Sequence, residues 1–144
     1  MSGAAGTAQI VHASSVAFGR RGVLILGASG RGKSTLALQL MGMGCALVSD
    51  DRTALAARDG VVVAASPKRI RGRIEARGVG ILKADPLPVA RIVLLVDLDE
   101  TEERRLPPER MRDLLGVALP VVHRVESPHF PAAILQYLKA GRAE

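Results

Sequence analysis

The sequence predicts an α/β fold built on a mixed sheet. Short apolar runs typical of strands outnumber helical segments, and several are joined by turn sequences that favour hairpins. One apolar run also leads through a glycine-rich segment directly into a helix. These features differ from the regular strand and helix repeat of a doubly wound sheet. The length of 144 residues suits one domain, and we expect residues 1–144 to form a single one.

The first half of the chain carries the strand–loop–helix unit. Residues 9–18 and 23–26 are predicted strands, separated by a basic turn at residues 19–22. Residues 33–43 contain good helix formers with regularly spaced apolar groups, and Gly44 follows as a stop signal. A short apolar run at 46–49 comes next, and we predict a buried strand there.

The rest of the chain contains more strands and two further helices. Residues 54–57 and 61–65 flank an Asp-Gly pair, which favours a hairpin turn. The strongest strand pattern in the second half of the chain lies at 91–98, and a weaker one lies at 121–125. The remaining predicted elements are helices at 107–115 and 132–140.

Composition and charge favour some partners over others. With only two phenylalanines and one tyrosine, the chain lacks the aromatic platforms that bind single-stranded nucleic acid, and it carries no recognition motif for one. No apolar run approaches the roughly 20 residues of a membrane helix. The first ten residues do not resemble a secretory signal, so we expect a cytoplasmic protein that binds neither membrane nor nucleic acid. The lone Cys45 is expected to be a packing residue.

Positive charge is concentrated in one segment. The net charge is +6, and residues 68–77 hold a quarter of the basic side chains. Such local density favours an anionic ligand or an acidic protein surface, although a solvated charged loop is the alternative. The residues are Lys68, Arg69, Arg71, Arg73 and Arg77.

A phosphate-binding motif lies between the second predicted strand and the first helix. Residues 27–34 match G-x-x-x-x-G-K-[ST] at every position, in the order Gly27, Ala28, Ser29, Gly30, Arg31, Gly32, Lys33 and Ser34, with Thr35 next. Glycines let backbone amides turn toward a phosphate, and the helix N-terminus adds positive potential. Lys33 is expected to contact the β- and γ-phosphates of ATP, and the Ser34 hydroxyl to ligate Mg²⁺.

Two acidic strand ends compete for the remaining chemistry. Asp50 and Asp51 follow the strand at 46–49, where one carboxylate could support Mg²⁺ and the other accept a proton from an attacking hydroxyl. Asp97 ends the apolar run that begins at residue 91, as a Walker B aspartate does. We favour an exposed surface position for Asp97, because further acidic residues follow it directly.

Four segments follow one another along the chain: Val11-His12-Ala13, the phosphate loop, Leu47-Val48-Ser49-Asp50-Asp51, and residues 74–82 with Glu75, Arg77-Gly78 and Gly80-Ile81. Together they resemble the catalytic domain of the HPr serine kinase/phosphorylase family. The resemblance covers roughly residues 9–98. It implies a mixed-sheet fold related to phosphoenolpyruvate carboxykinase and a compact form that consists of the catalytic domain only.

The resemblance also implies individual roles. It makes Asp51 the proton acceptor from the substrate serine and places Asp50 and Glu75 with Ser34 at the Mg²⁺ site. Arg77 would order the site or neutralise phosphate charge, and His12 would lie near the reacting phosphoryl group.

At the level of the whole protein, the resemblance implies an ATP- and Mg²⁺-dependent serine kinase. Its substrate would be the phosphocarrier protein HPr or a close relative, it would have a phosphorylase activity on the phosphoserine, and its assembly would be a homo-oligomer such as a hexamer. Residues 122–129 read VHRVESPH, where the family has a basic Arg-Pro-Gly-Arg-Asn-like segment. Two rival functions remain open: a P-loop kinase or NTPase acting on a small molecule, and a nucleotide-responsive binding module without catalysis.

Overall fold

The computed structural model describes residues 8–144 and confirms the mixed α/β sheet. Residues 1–7, which carry most of the segment expected to lack a secretory signal, lie outside the described residues. Within residues 8–144 no helix is both long enough and apolar enough to cross a membrane.

Eleven strands and two α-helices make up the described part of the chain. The strands are β1 (Gln9–Val11), β2 (Ala13–Phe18), β3 (Arg21–Leu26), β4 (Ala46–Ser49), β5 (Thr53–Arg58), β6 (Val61–Ala65), β7 (Arg73–Ala76), β8 (Gly80–Lys83), β9 (Ala90–Thr101), β10 (Arg110–Leu114) and β11 (Val117–Arg124). The helices are α1 (Lys33–Gly42) and α2 (Phe130–Ala140), and a short 3₁₀ helix covers Lys68–Ile70.

The long strand β9 organises the sheet. Strand β3 runs parallel to it along one edge, pairing Leu26 with Asp97 at its far end. Along the other edge, β6 pairs with the start of β9 and β11 runs parallel to its later part. The remaining strands extend the sheet in the order β1-β5-β6-β9-β3-β2-β4, while β10 pairs with β11 and β7 pairs with β8 in a separate hairpin.

Two hydrophobic cores lie on opposite faces of the central strands. Val23 and Ile25 of β3 point into a core that includes residues of both helices, whereas Leu24 between them points into the second core. This alternation follows from the two-residue period of a strand. The second core is filled by other strands of the same curled sheet, including Leu55 of β5 and Leu119 of β11.

The helix predicted at residues 107–115 is wrong. Residues 110–114 form β10, which pairs antiparallel with β11 from Arg110 opposite Val121 to Leu114 opposite Val117. The two-residue turn between them has positive φ at both positions, 53° at Leu115 and 84° at Gly116. Two consecutive positive φ values are typical of the tight turns that close hairpins, so this turn sets the strand pairing.

The other predicted elements need smaller corrections. Residues 9–18 form two strands instead of one, because the chain breaks at His12 and β1 pairs with β5 while β2 pairs with β3 and β4. The turn expected at 19–22 is shorter, since Arg21 already opens β3. The predictions of α1, α2, β4 and the hairpin of β5 and β6 are confirmed to within about two residues.

Candidate active site

The phosphate loop spans residues 27–32, between the end of β3 and the start of α1. Gly27, Gly30 and Gly32 have φ values of 154°, 83° and 98°, which side chains with a Cβ rarely adopt. At Gly27 the space is also closed, because a Cβ would lie 3.2 Å from the Cβ of Leu98. The glycines of the motif therefore allow the backbone conformation that turns the loop amides toward a ligand.

Lys33 is the first residue of α1, and its side chain reaches back to the loop. Its side chain is buried, and its ammonium donates hydrogen bonds to the carbonyl oxygens of Gly27 at 2.6 Å and Ala28 at 3.2 Å. The loop backbone thus holds the cation beside the position expected for phosphates.

Asp50 joins three elements at the end of β4. Its Oδ1 accepts hydrogen bonds from the hydroxyls of Ser34 at 2.6 Å and Ser14 at 2.9 Å. Its Oδ2 accepts the backbone N–H of Glu75 at 3.0 Å. The carboxylate is buried, so these three donors compensate for its lost hydration and fix it beside the Ser34 hydroxyl.

The Asp51 side chain points away from that of Asp50 and toward solvent. Its backbone is left-handed, with φ of 68°, and its N–H donates to the Ser14 hydroxyl at 3.0 Å. The carboxylate is 59% exposed and lies 3.9 Å from Nε2 of His12, at the break between β1 and β2. The structure therefore brings His12 to Asp51. Ser14 holds the turn that points Asp50 and Asp51 apart, and it was not identified from the sequence. Its only signal was the pair Ser14-Ser15 within an otherwise apolar strand.

The hairpin of β7 and β8 closes the other side of the cleft. Ile74 and Ala76 are buried, so the alternate residues Glu75 and Arg77 face outward beside the loop. A cleft of about 220 Å³ results. It is lined by Ser29, Gly30, Gly32, Lys33, Ser34, Thr35, Asp51, Glu75 and Arg77.

Five of the residues expected at the site do not line this cleft: His12, Gly27, Ala28, Arg31 and Asp50. Asp50 is covered by its three hydrogen-bond donors. His12 does not line the cleft itself, but it lies beside Asp51, which does. Gly27 and Ala28 form the base of the loop, where their carbonyls hold Lys33.

The exposed position expected for Asp97 is wrong. The strand continues past it, and the Asp97 side chain is 10% exposed and ion-paired with Arg112 at 2.6 Å. Burial raises the pKa of this carboxyl, but hydrogen bonds from Arg112 and the Asp99 N–H, with the charges of Arg112 and His123, hold the pKa below its ordinary value. Both oxygens of Asp97 are thus occupied by protein donors.

Two residues outside the motif support the loop and were missed in the sequence. The Asp99 carboxylate accepts the N–H of Ala28 at 3.0 Å and lies 3.4 Å from Nε of Arg31. Arg124 donates from Nε to the carbonyl of Leu98 at 3.1 Å and from its Nη2 to the carbonyl of Arg31. The expected cofactor residue Arg31 therefore faces the strand ends of β9 and β11, away from the cleft.

The oxygen ligands near Ser34 suit Mg²⁺. Between residues 8 and 144, no group of three His, Cys, Asp or Glu side chains is arranged to hold a metal without further ligands. Asp50 is hydrogen-bonded to Ser34, and Glu75 lines the same cleft. Magnesium prefers oxygen ligands and usually takes only one or two protein carboxylates together with water and substrate phosphates, so this small set fits it.

The phosphate loop, Lys33 and the carboxylates that follow β4 define an α/β protein of the P-loop phosphate-binding class. A sequence model described as the HPr Serine kinase C-terminal domain matches residues 5–120. The chain belongs to that family.

Relatives and a solved structure agree with this family. HPr kinase/phosphorylase of Geobacillus thermodenitrificans (strain NG80-2) is 36% identical over 104 residues, 67% of this chain and 32% of the relative. The protein of that name from Lactococcus lactis subsp. lactis (strain IL1403) is 50% identical over 62 residues, 42% of this chain and 20% of the relative. The matches thus span a fifth to a third of these relatives' lengths.

The fold is similar to that of the Hpr(Ser) kinase/phosphatase from Coxiella burnetii. The TM-score is 0.75 at 23% identity, and the alignment covers 91% of this chain and 94% of the other. The expected similarity to the fold of HPr kinase is thereby confirmed.

Proposed function

We propose that this protein is an ATP- and Mg²⁺-dependent protein serine kinase whose substrate is the phosphocarrier protein HPr or a close relative. The observation that carries the proposal is the position of Asp51, whose exposed carboxylate lines the same cleft as Lys33 and Ser34 of the phosphate loop. A nucleotide-binding module without catalysis has no need of such a carboxylate. The family and the names of its relatives support this choice of reaction and substrate.

Residues of the cleft, together with Asp50 behind it, supply the groups that phosphoryl transfer requires. The loop amides and Lys33 bind the β- and γ-phosphates, while Asp51 accepts the proton of the attacking serine hydroxyl. Ser34, Asp50 and Glu75 would hold Mg²⁺, which when bound neutralises phosphate charge. Arg77 adds positive charge on the opposite wall of the cleft. Catalysis arises here from alignment and charge stabilisation.

The acceptor side of the site is a second cavity of about 350 Å³. It shares Ser34, Asp51 and Glu75 with the phosphate cleft, so a hydroxyl placed there can reach Asp51. Arg73 and Ile81 of the β7–β8 hairpin also line it. Together with the exposed basic residues of segment 68–77, this wall offers charge and apolar contact to a protein surface.

The relatives' name also includes a phosphorylase, which is the second candidate activity. It would use the same residues to transfer the phosphoryl group from the phosphoserine to inorganic phosphate, which releases the free serine hydroxyl and pyrophosphate. We further place the protein in the cytoplasm and expect a homo-oligomer such as a hexamer, which light scattering on the purified chain can test.

A transfer assay with labelled ATP, Mg²⁺ and purified HPr tests the proposal, with mass spectrometry to identify the modified residue. We expect label on one serine of HPr and none with Lys33→Ala, because the loop then lacks the cation that neutralises phosphate charge. Label on small molecules alone would instead support a small-molecule kinase. Nucleotide binding without any transfer would support the binding module.

A further inference from the structure

Three cavities lie in a row across the phosphate loop. The central cleft shares Gly30, Gly32 and Thr35 with a cavity of about 290 Å³ on one side. It shares a different set, which includes Ser34 and Asp51, with the acceptor cavity on the other side. The two outer cavities have no lining residue in common, so the phosphate cleft lies between them.

The direction of phosphoryl transfer gives the two outer cavities different roles. The attacking and leaving oxygens of the transferred group lie roughly in line, on opposite sides of the phosphorus. Because Asp51 opens toward the acceptor cavity, the leaving diphosphate and its nucleoside must extend the other way. That direction leads to the cavity of about 290 Å³.

The lining of this third cavity suits a flat, partly polar group. Leu98, Val125 and Phe130 supply apolar surface, and Pro128 adds a rigid apolar wall. Gln39 lies at its rim, on the exposed face of α1 one turn beyond Thr35. Apolar walls with a few polar groups are typical of sites for small organic ligands, and a glutamine amide can both donate and accept at the edge of a base.

The cavity is also fixed to the phosphate loop by hydrogen bonds. Arg124 connects the carbonyls of Leu98 and Arg31, so one side chain links the cavity wall to the loop. The wall beyond it is held by a hydrogen bond of 2.7 Å between the Ser127 hydroxyl and Nδ1 of His129. This wall is formed by the segment in which the sequence departs from the family pattern.

We propose that the cavity formed by α1 and residues 124–131 binds the base of the nucleotide, with Gln39 contacting the edge of that base. This inference rests on the proposed function, because it takes the nucleotide to be the phosphate donor. It gives the chain a nucleoside site in addition to the phosphate loop, and it orders the reactants as base, phosphates and acceptor hydroxyl along the three cavities.

Binding measurements with ATP and with inorganic tripolyphosphate, both with Mg²⁺, test the inference by calorimetry. Tripolyphosphate carries the phosphates without a base, so it reports on the loop alone. We expect wild type to bind ATP at least about ten-fold more tightly than tripolyphosphate, since the base adds buried apolar contact. In Gln39→Trp, where a large side chain fills the cavity, ATP affinity should fall about ten-fold while tripolyphosphate affinity changes less than about two-fold.

The matched control is Gln136→Trp, the same exchange at an exposed position of α2 that lines none of the three cavities. It should leave both affinities unchanged. Equal affinity of wild type for ATP and tripolyphosphate, or unchanged ATP affinity in Gln39→Trp, would overturn the base site while leaving the phosphate loop intact. Failure of wild type to bind either compound would instead refute the proposed function.

Discussion

Two acidic segments flank the phosphate loop, one directly after β4 and one in the later part of β9, and they differ in what their carboxylates contact. Asp50 and Asp51 follow β4, and Asp97 lies in β9 opposite the last residue of β3. Both strands are apolar and buried before the acidic residues begin. From the sequence, either could have served the metal and the proton transfer.

The two acidic segments differ in the hydrogen-bond and ion-pair partners of their carboxylates. Asp97 is neutralised by Arg112, its second oxygen accepts a backbone N–H, and it lines neither the phosphate cleft nor the acceptor cavity. Asp51 has only the exposed His12 within 4 Å as an ionic partner among the described residues. An acidic residue after an apolar strand pattern is therefore a candidate catalytic residue. The cationic groups and hydrogen-bond donors around its carboxylate decide whether it can act on a substrate.

Asp51→Asn should have the largest effect. Asparagine keeps the shape of the side chain and tolerates the left-handed backbone, with φ of 68°, but it cannot accept the serine proton. We expect near-normal binding of ATP with Mg²⁺ and transfer at least roughly 10²-fold slower, the usual scale for loss of a general base. Single-turnover kinetics with HPr measure the transfer step. Transfer within a few-fold of wild type would remove Asp51 from the mechanism.

Asp50→Asn should act on the metal requirement instead. One side of an asparagine amide donates, so at least one of the three donors now held by Asp50 loses its acceptor. We expect the Mg²⁺ concentration for half-maximal transfer to rise roughly ten-fold, and the free energy of unfolding to fall by about 1–3 kcal/mol. A Mg²⁺ titration and urea unfolding separate these two effects. An unchanged Mg²⁺ requirement would show that Asp50 only holds the turn.

Asp97→Asn should change stability and leave transfer within a few-fold of wild type. The variant loses the charge that faces Arg112, so we expect the free energy of unfolding to fall by about 1 kcal/mol at neutral pH. Asp85→Asn, at an exposed position, is the control and should have no effect. Loss of Mg²⁺-dependent transfer in Asp97→Asn, together with an active Asp51→Asn, would show a conventional Walker B site.

The pH dependence of this effect has a definite sign. The pKa of Asp97 in the folded protein lies below its ordinary value of 3.8, so its contribution to stability is complete above that value. As the pH falls through the folded pKa, the carboxyl is protonated and the contribution is lost. Wild type and Asp97→Asn should therefore differ in urea stability at pH 7 and converge in strongly acidic buffer.

Much of the fold could be predicted because its signals are local. The phosphate loop is specified by its glycines and by Gly32-Lys33-Ser34, and α1 by helix formers that end before Gly44. Residues 107–115 could not be assigned in the same way. Their helical appearance gave way to a hairpin with β11, whose Leu115-Gly116 turn lacks the Asn-Gly or Asp-Gly pair that usually marks such a turn in a sequence.

The candidate site was predicted where residues adjoin a motif and missed where contacts span the sequence. The sequence led us to expect Lys33, Asp51 and Glu75 at the site, and all three line the cleft. The support from Ser14 and Asp99 depends on strands that meet only in the folded sheet, 37 and 71 residues from their partners. The burial of Asp97 was missed for the same reason, since Arg112 reaches it from β10.

Asp99→Asn should have the smallest effect, and it tests whether the second acidic segment contributes to nucleotide binding. The amide oxygen can still accept the Ala28 N–H, so the loop should keep its shape. Its exposed ion pair with Arg31 is lost, which costs at most about 1 kcal/mol of stability. Removing a negative charge beside the loop should tighten ATP binding about two-fold at low salt, and the gain should fade as salt screens it. Asp59→Asn, in the turn between β5 and β6, makes the same charge change away from the cleft and should leave ATP binding unaltered. Weaker ATP binding in Asp99→Asn would mean that the carboxylate is needed to order the loop. The second acidic segment would then contribute to nucleotide binding.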